Sequence, residues 1–236
     1  MAILVWPHQL LVPVKSEANV VPFSRSGGRS LGGLEPTTRT DRGFWSIRLN
    51  DIILENRRKR RAWTALQTEL SGRAGLIAVP VWSFDTAPYP EGVDRFHRSI
   101  PHSDGTYFSD GAGYQGQKIS LRAPDAVPIG ATSMRLQVIN AEADLVGIRF
   151  SYQHAAYQTG FAGTVEGAFW TVSISPAIRA PIPAGASLEV DMPTCLCRLK
   201  DDSGMDTDLD VLGMSRPSVG FNEATDYWDD LAAGLI

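Results

Sequence analysis

The sequence is short of the residues that most often carry chemistry. It has 2 cysteines and 4 histidines in 236 residues. Cys195 and Cys197 stand two apart, so on a strand they point to one face, and their geometry disfavours an ordinary disulfide. No His or second Cys pair stands beside them, so they do not make a zinc site, and no disulfide framework signals an oxidising compartment. They read as small buried hydrophobes. Neither HExxH nor GxSxG occurs, which removes the common metalloprotease and serine-hydrolase signatures. No apolar run reaches the roughly 18 residues that a membrane-spanning helix needs. The apolar start, Met1 to Val14, is broken by Pro7 and Pro13 and lacks a basic leader, so it does not read as a signal peptide. The net charge is only −4, which argues against nucleic acid as the partner of the whole surface.

Turn-forming residues are plentiful. Gly 22 and Pro 15 point to a strand-rich chain with frequent reversals. Residues 1–43 read as an extended arm or loop, because 16–43 is rich in Ser, Gly, Arg and Thr and shows no apolar periodicity. Its glycines and arginines do not form a P-loop, which needs GxxxxGK[ST] between strand and helix. Residues 44–236 read as a β-rich domain that opens strand, helix, strand over 44–84. Trp45, Ile47 and Leu49 alternate as a strand, and Asn56 caps a helix over Arg57 to Leu70 with Trp63, Leu66 and Leu70 on one face. Ser71-Gly72 stops the helix, and Leu76 to Phe84 is a buried strand. Residues 85–116 form a long loop rich in Pro and Gly.

Antiparallel strands fill 117–222. They are centred on Lys118 to Arg122, Met134 to Val138, Val146 to Tyr152, Trp170 to Ile174, Leu188 to Val190, Cys195 to Leu199 and Ser218 to Phe221. Gly160, Gly163, Gly167, Gly185 and Gly204 are expected in turns, and Glu223 to Leu231 makes a short terminal helix. The expected class is mainly β, an antiparallel sandwich or barrel with a flanking α-helix and long loops.

Few side chains group in a way that suggests catalysis. His97 and His102 share a loop with Asp94, Asp104 and Asp110, where a metal or acid–base site is conceivable. Against that, the Ser-Asp-Gly runs at 103–105 and 109–111 have the composition of turns that Asp and Gly shape. Asp206, Asp208 and Asp210 imitate the start of a calcium loop, but Val211 stands where Gly is required and Pro217 where Glu is required, so an EF-hand is excluded. No catalytic, cofactor-binding or metal-binding residue is assigned. Arg57, Arg58, Lys59, Arg60 and Arg61 are the densest basic run. On a helix they surround the first turns, and cations there oppose the macrodipole. Such a run can be a solvated face, a nucleic-acid contact or a contact with an acidic partner surface. Charge is unevenly spread: residues 1–73 carry 12 Lys/Arg and 6 Asp/Glu, net +6, while 200–236 carry 2 and 9, net −7. A basic start and an acidic end suit copies that meet head to tail, which makes the basic run and Asp206, Asp208 and Asp210 candidate subunit-interface residues.

Three stretches resemble tail proteins of long-tailed bacteriophages. The first is Gly43-Phe44-Trp45 leading to Arg60-Arg61-Ala62-Trp63-Thr64-Ala65-Leu66 and then Gly72 to Val81. The second is Pro101 to Gly105 with Phe108 to Gly111. The third is Ile174 to Ala186 followed by Leu188 to Cys195, which is similar to the closing strands of tail-tube-like proteins. The resemblance covers most of the chain and is closest to distal tail or tail-tip ring subunits. It implies a β-sandwich or barrel, a homo-oligomeric ring matching a sixfold tube, contacts with tail tube and with hub or fibre proteins, and a place in the virion after assembly in the host cytoplasm. It implies no enzyme, cofactor, membrane or nucleic-acid role. A tail terminator or neck position is a variant of this reading. Two rivals belong to other classes. A carbohydrate-binding attachment module would need exposed aromatics beside Asp or Asn in a groove, and an envelope hydrolase would need His97 or His102 within reach of a carboxylate.

Overall fold

The computed structural model describes residues 3–29, 31–33, 35–83, 85–91, 99–100, 104, 106, 109, 114–115, 118–207 and 214–235. In chain order the elements are β1 (Leu4–Val5), β2 (Lys15–Ser26), β3 (Thr37–Asn50), α1 (Arg57–Leu70), a 3-10 turn (Gly72–Ala74) and β4 (Ile77–Pro80). Next come β5 (Ser99–Ile100), β6 (Tyr114–Gln115), β7 (Ser120–Arg122), β8 (Ser133–Asn140), β9 (Arg149–Tyr152) and β10 (Ala155–Glu166). The last are β11 (Phe169–Ser175), β12 (Ser187–Leu188), β13 (Thr194–Leu199), β14 (Val219–Glu223) and α2 (Thr225–Ala232). The protein is mainly β.

Twelve of the strands form two six-stranded sheets, and β5 and β6 make a separate pair. The first sheet runs β1-β4-β13-β14-β3-β2 and the second β12-β7-β8-β11-β10-β9. Among the described residues only β1 with β4 is parallel. The second sheet almost closes into a barrel, because Ser151 on β9 exchanges backbone hydrogen bonds of 2.8 and 2.9 Å with Glu189, just past β12. Closure removes open strand edges, which otherwise invite stray pairing.

Each sheet encloses its own core. In the first, Trp45, Ile47 and Leu49 of β3 point inward, as their alternation requires, against Trp63, Leu66 and Leu70 of α1. Trp6 meets Trp63 edge to face at 6.2 Å and Phe221 at 5.7 Å. A buried indole N–H needs an acceptor. Trp6 donates to Leu11 O at 2.9 Å, Trp45 to Ala156 O at 2.7 Å and Trp63 to Met205 O at 2.8 Å. The barrel holds Leu121, Leu136, Phe150, Tyr157, Val172 and Leu188, with Phe150 and Tyr157 rings 5.4 Å apart. Strand β13 serves both cores, since Cys195 and Cys197 pack in the first and Leu196 in the second. Both thiols are free and fully buried, as a pair of small hydrophobes on one strand face should be.

The helix Arg57–Leu70 falls where its period and cap place it. Asn56 accepts from Lys59 N at 2.9 Å, and Ser71 ends the helix in the left-handed conformation with φ 47. Four expectations need correction. Residues 15–26 are not loop but a full strand, paired with β3 from Lys15↔Asn50 to Ser26↔Thr37. A two-stranded ribbon is held by backbone bonds, so its outer half needs no apolar alternation. Gly160 and Gly163 do not lie in turns but inside β10, where the pairing with β11 shifts register between Thr159, Ala162 and Thr164. Glycine fits there because a Cβ on Gly160 would come within 2.4 Å of Ser173 Oγ. The segment 85–116 is not wholly loop, since β5 and β6 pair. Finally, the strands after 117 do not form one set. β13 and β14 leave the barrel and complete the first sheet beside β4 and β3.

Candidate interaction surface

Two arginines tie the sheets together and so fix what the surface can present. Arg179, after β11, donates from Nε to Glu223 Oε1 at 2.8 Å and from Nη2 to Gly43 O on β3. Glu223 ends β14, its side chain is fully buried, and its second oxygen accepts from Trp45 N at 3.0 Å. Burial pushes the Glu223 carboxyl above its ordinary value, while Arg179 and the Trp45 N–H hold that rise back. Arg149 on β9 donates to Ala18 O at 2.8 Å and Trp82 O at 3.3 Å, and lies 5.6 Å from the Trp45 ring centre. These are positioning contacts made inside the protein.

One two-stranded ribbon projects from the surface. In the β2–β3 ribbon the register breaks between Val21 and Phe23. Gly43 is required at that break, where a Cβ would approach Val21 O to 3.0 Å. Beyond it every described side chain of β2 is exposed. The ribbon ends in a turn held by Gly27 N to Pro36 O at 2.8 Å and Ser26 Oγ to Glu35 Oε1 at 2.5 Å. Leu31 stands fully exposed at the tip and Phe23 is 59% exposed. Residues 22–42 carry 4 Arg against Glu35 and Asp41. On β10, past the end of its pairing with β9, Phe161 is 85% and Val165 50% exposed.

The helix α2 and its surroundings form the acidic counterpart. Trp228 is buried beneath α2, and Asp226, Asp229 and Asp230 lie on the helix. Partial burial works to raise the Asp226 carboxyl, but its two-point pair with Arg198, at 2.8 and 3.3 Å, wins and holds it below its ordinary value. Between α2, Phe23, Phe44, Ile129 and Ile178 lies a largely apolar cleft of about 540 Å³.

The structure divides the basic run of α1. Lys59 pairs with Glu55 at 2.8 Å, and Arg60 donates from Nε to Leu54 O at 3.4 Å, so both are used within the chain. Arg57, Arg58 and Arg61 are exposed. Asp206 does not meet the run; it accepts from Gln67 at 3.4 Å, farther along the same helix. Asp208 and Asp210 lie outside the described residues, as do Asp94, His97, His102 and Asp110. Asp104 accepts from Thr106 N at 3.0 Å and Thr106 Oγ1 at 2.7 Å, which shapes a turn and lowers its carboxyl. His154 sits in the β9–β10 turn, 2.8 Å from Thr194 Oγ1, with its ring pKa lowered by burial. Among the described residues no three His, Cys, Asp or Glu side chains gather as a metal-ligand set, and no helix is long and apolar enough to cross a membrane. Sequence reasoning missed the β2–β3 ribbon and both tying arginines. The ribbon left one signal, the large apolar residues Phe23 and Leu31 in a segment otherwise rich in Ser, Gly, Arg and Thr.

Fold and surface thus define a two-sheet β protein whose prominent exposed features are a ribbon and patches of opposite charge. Set against known protein families and against curated proteins, the sequence matches none.

Proposed function

We propose that the chain is a structural subunit of a tailed-phage particle, a ring-forming component at the distal end of the tail that joins the tube to the hub or fibres. The observation that carries this reading is the β2–β3 ribbon, which leaves its sheet and offers a net-cationic arm with a bare Leu31 at its tip. Phe23 and Leu31 together, both exposed on this arm, give a neighbouring chain apolar surface to bury. A neighbouring copy supplies the complement at α2, which carries Asp226, Asp229 and Asp230 and lines an apolar cleft. Head-to-tail contacts of this kind close into a ring when the rotation between copies divides a full turn, and a sixfold ring matches the tube.

A reconstruction of the particle tests this. Ring density beneath the tail tube that accommodates the two-sheet fold is the expected result. Leu31→Glu should leave the purified chain folded by circular dichroism and remove it from the particle. A protein absent from particles, or one incorporated equally well with Glu at 31, overturns the reading.

A further inference from the structure

The cleft of about 540 Å³ beside α2 is walled by three separate parts of the chain. Phe23 and Phe44 come from the base of the ribbon, and Trp228 and Asp229 from α2. Ile129 and Ile178 come from two segments joined by backbone hydrogen bonds at Gly130 and Ala131. Phe23 is 59% and Ile129 44% exposed, so the apolar walls are open to a partner. The chain does not fill this cleft itself, because its own Leu31 lies past the paired residues Ser26 and Thr37 and remains fully exposed.

Charge and shape select the occupant. Asp226 is taken up by Arg198, while Asp229 on the cleft wall and Asp230 beside it are exposed. An occupant therefore needs an apolar group with a cation close behind it. The ribbon tip has both, in Leu31 and the exposed Arg29, and it is slim because Gly27, Gly28, Gly32 and Gly33 bear no side chain. We propose that the cleft receives the ribbon tip of a second copy, and that seating it fixes the angle of the receiving copy's own ribbon. The proposal rests on the head-to-tail reading and gives that contact a seat and an order. The coupling comes from the ribbon base. Val21↔Phe44 is the last pair before the register break and Phe23↔Thr40 the first beyond it, so an occupant touching Phe23 and Phe44 spans the break. Arg179, in the same wall, holds Gly43 O at the break and Glu223 at the foot of α2. A copy that has accepted an arm then presents its own arm in a fixed pose, which lowers the ordering cost of the next contact, and copies join in sequence.

Oxidation of an equal mixture of full-length Leu31→Cys and Ile129→Cys chains tests the contact. Both changes fall at exposed residues, and the two native thiols are buried and do not compete. The mixture should yield a disulfide-linked dimer that neither variant yields alone, because tip and cleft are different surfaces. Asp229→Arg in the receiving chain should slow linkage about fivefold, and Arg29→Asp in the donating chain should restore it. In the linked dimer, hydrogen exchange at residues 23–26 and 37–40 of an isotope-labelled receiving chain should be slower than in the free chain. No dimer, or an equal one from Leu31→Cys alone, overturns the seat, and exchange unchanged by linkage overturns the coupling. Linkage by a chain that is absent from particles keeps the contact and removes the tail reading. A tail ring built of copies that fail to link keeps the tail reading and removes the contact.

Discussion

Arg179 reaches from the barrel to a carboxylate that belongs to the other sheet, and both groups are largely out of water. Removing one member of a buried pair strands the other, at a cost of about 3–5 kcal/mol. Arg179→Met should lose that much at neutral pH by urea unfolding. The sign of the pH dependence follows from Glu223. Without Arg179 its folded pKa rises further above the unfolded value, so the penalty is full above the folded pKa and fades as pH falls toward the ordinary carboxylate range. The variant's deficit should therefore be smaller at pH 5 than at pH 7; a deficit that grows on acidification would mean another group dominates. This pair was not legible in the sequence. Its members are 44 residues apart, and neither sits in a motif that names a partner. Trp45 and Trp63, by contrast, were legible as core, because each lies on an apolar face of regular period.

At the scale of elements, α1 carries a visible conflict. Its first turn has no acidic residue, and Arg57 and Arg58 face the positive end of the helix dipole. Arg58→Glu should raise the stability of the isolated chain by about 0.3–1 kcal/mol. If the exposed arginines meet an acidic neighbour, the same change should weaken incorporation into particles. A gain in stability with unaltered assembly would return these arginines to the solvent. The helix was readable from its cap and its 3.6-residue period. The strand β10 was not, because Gly160 and Gly163 carry the usual signature of turns while lying inside a strand beside a register shift, Gly160 close against Ser173. The strand β2 was hidden for the opposite reason: its outer half shows no apolar alternation and is held to β3 mainly by backbone pairing.

For the whole molecule, the exposed Arg25 and Arg29 of the ribbon and Asp226, Asp229 and Asp230 of α2 place unlike charges on separate surfaces. Contacts between such surfaces weaken in salt, since the screening length shrinks from about 10 Å at 0.1 M to about 3 Å at 1 M. Self-association measured by light scattering should fall steeply across that range. Association indifferent to salt would assign the contact to Leu31 and Phe23 rather than to charge. The mainly β class was legible from turn residues and alternation, whereas the partition into two sheets was not, because nothing local marks β13 and β14 as returning to the start of the chain.

That return governs how the polypeptide can come into being. Strands β3 and β4 pair early with β2 and β1, but each waits on its other side for a strand encoded much later, and β13 forms a wall common to both interiors. No stopping point before residue 223 leaves the N-terminal half with its native neighbours. Native structure in the first sheet becomes attainable only once β13 and β14 have been made, and the two sheets then stand or melt together.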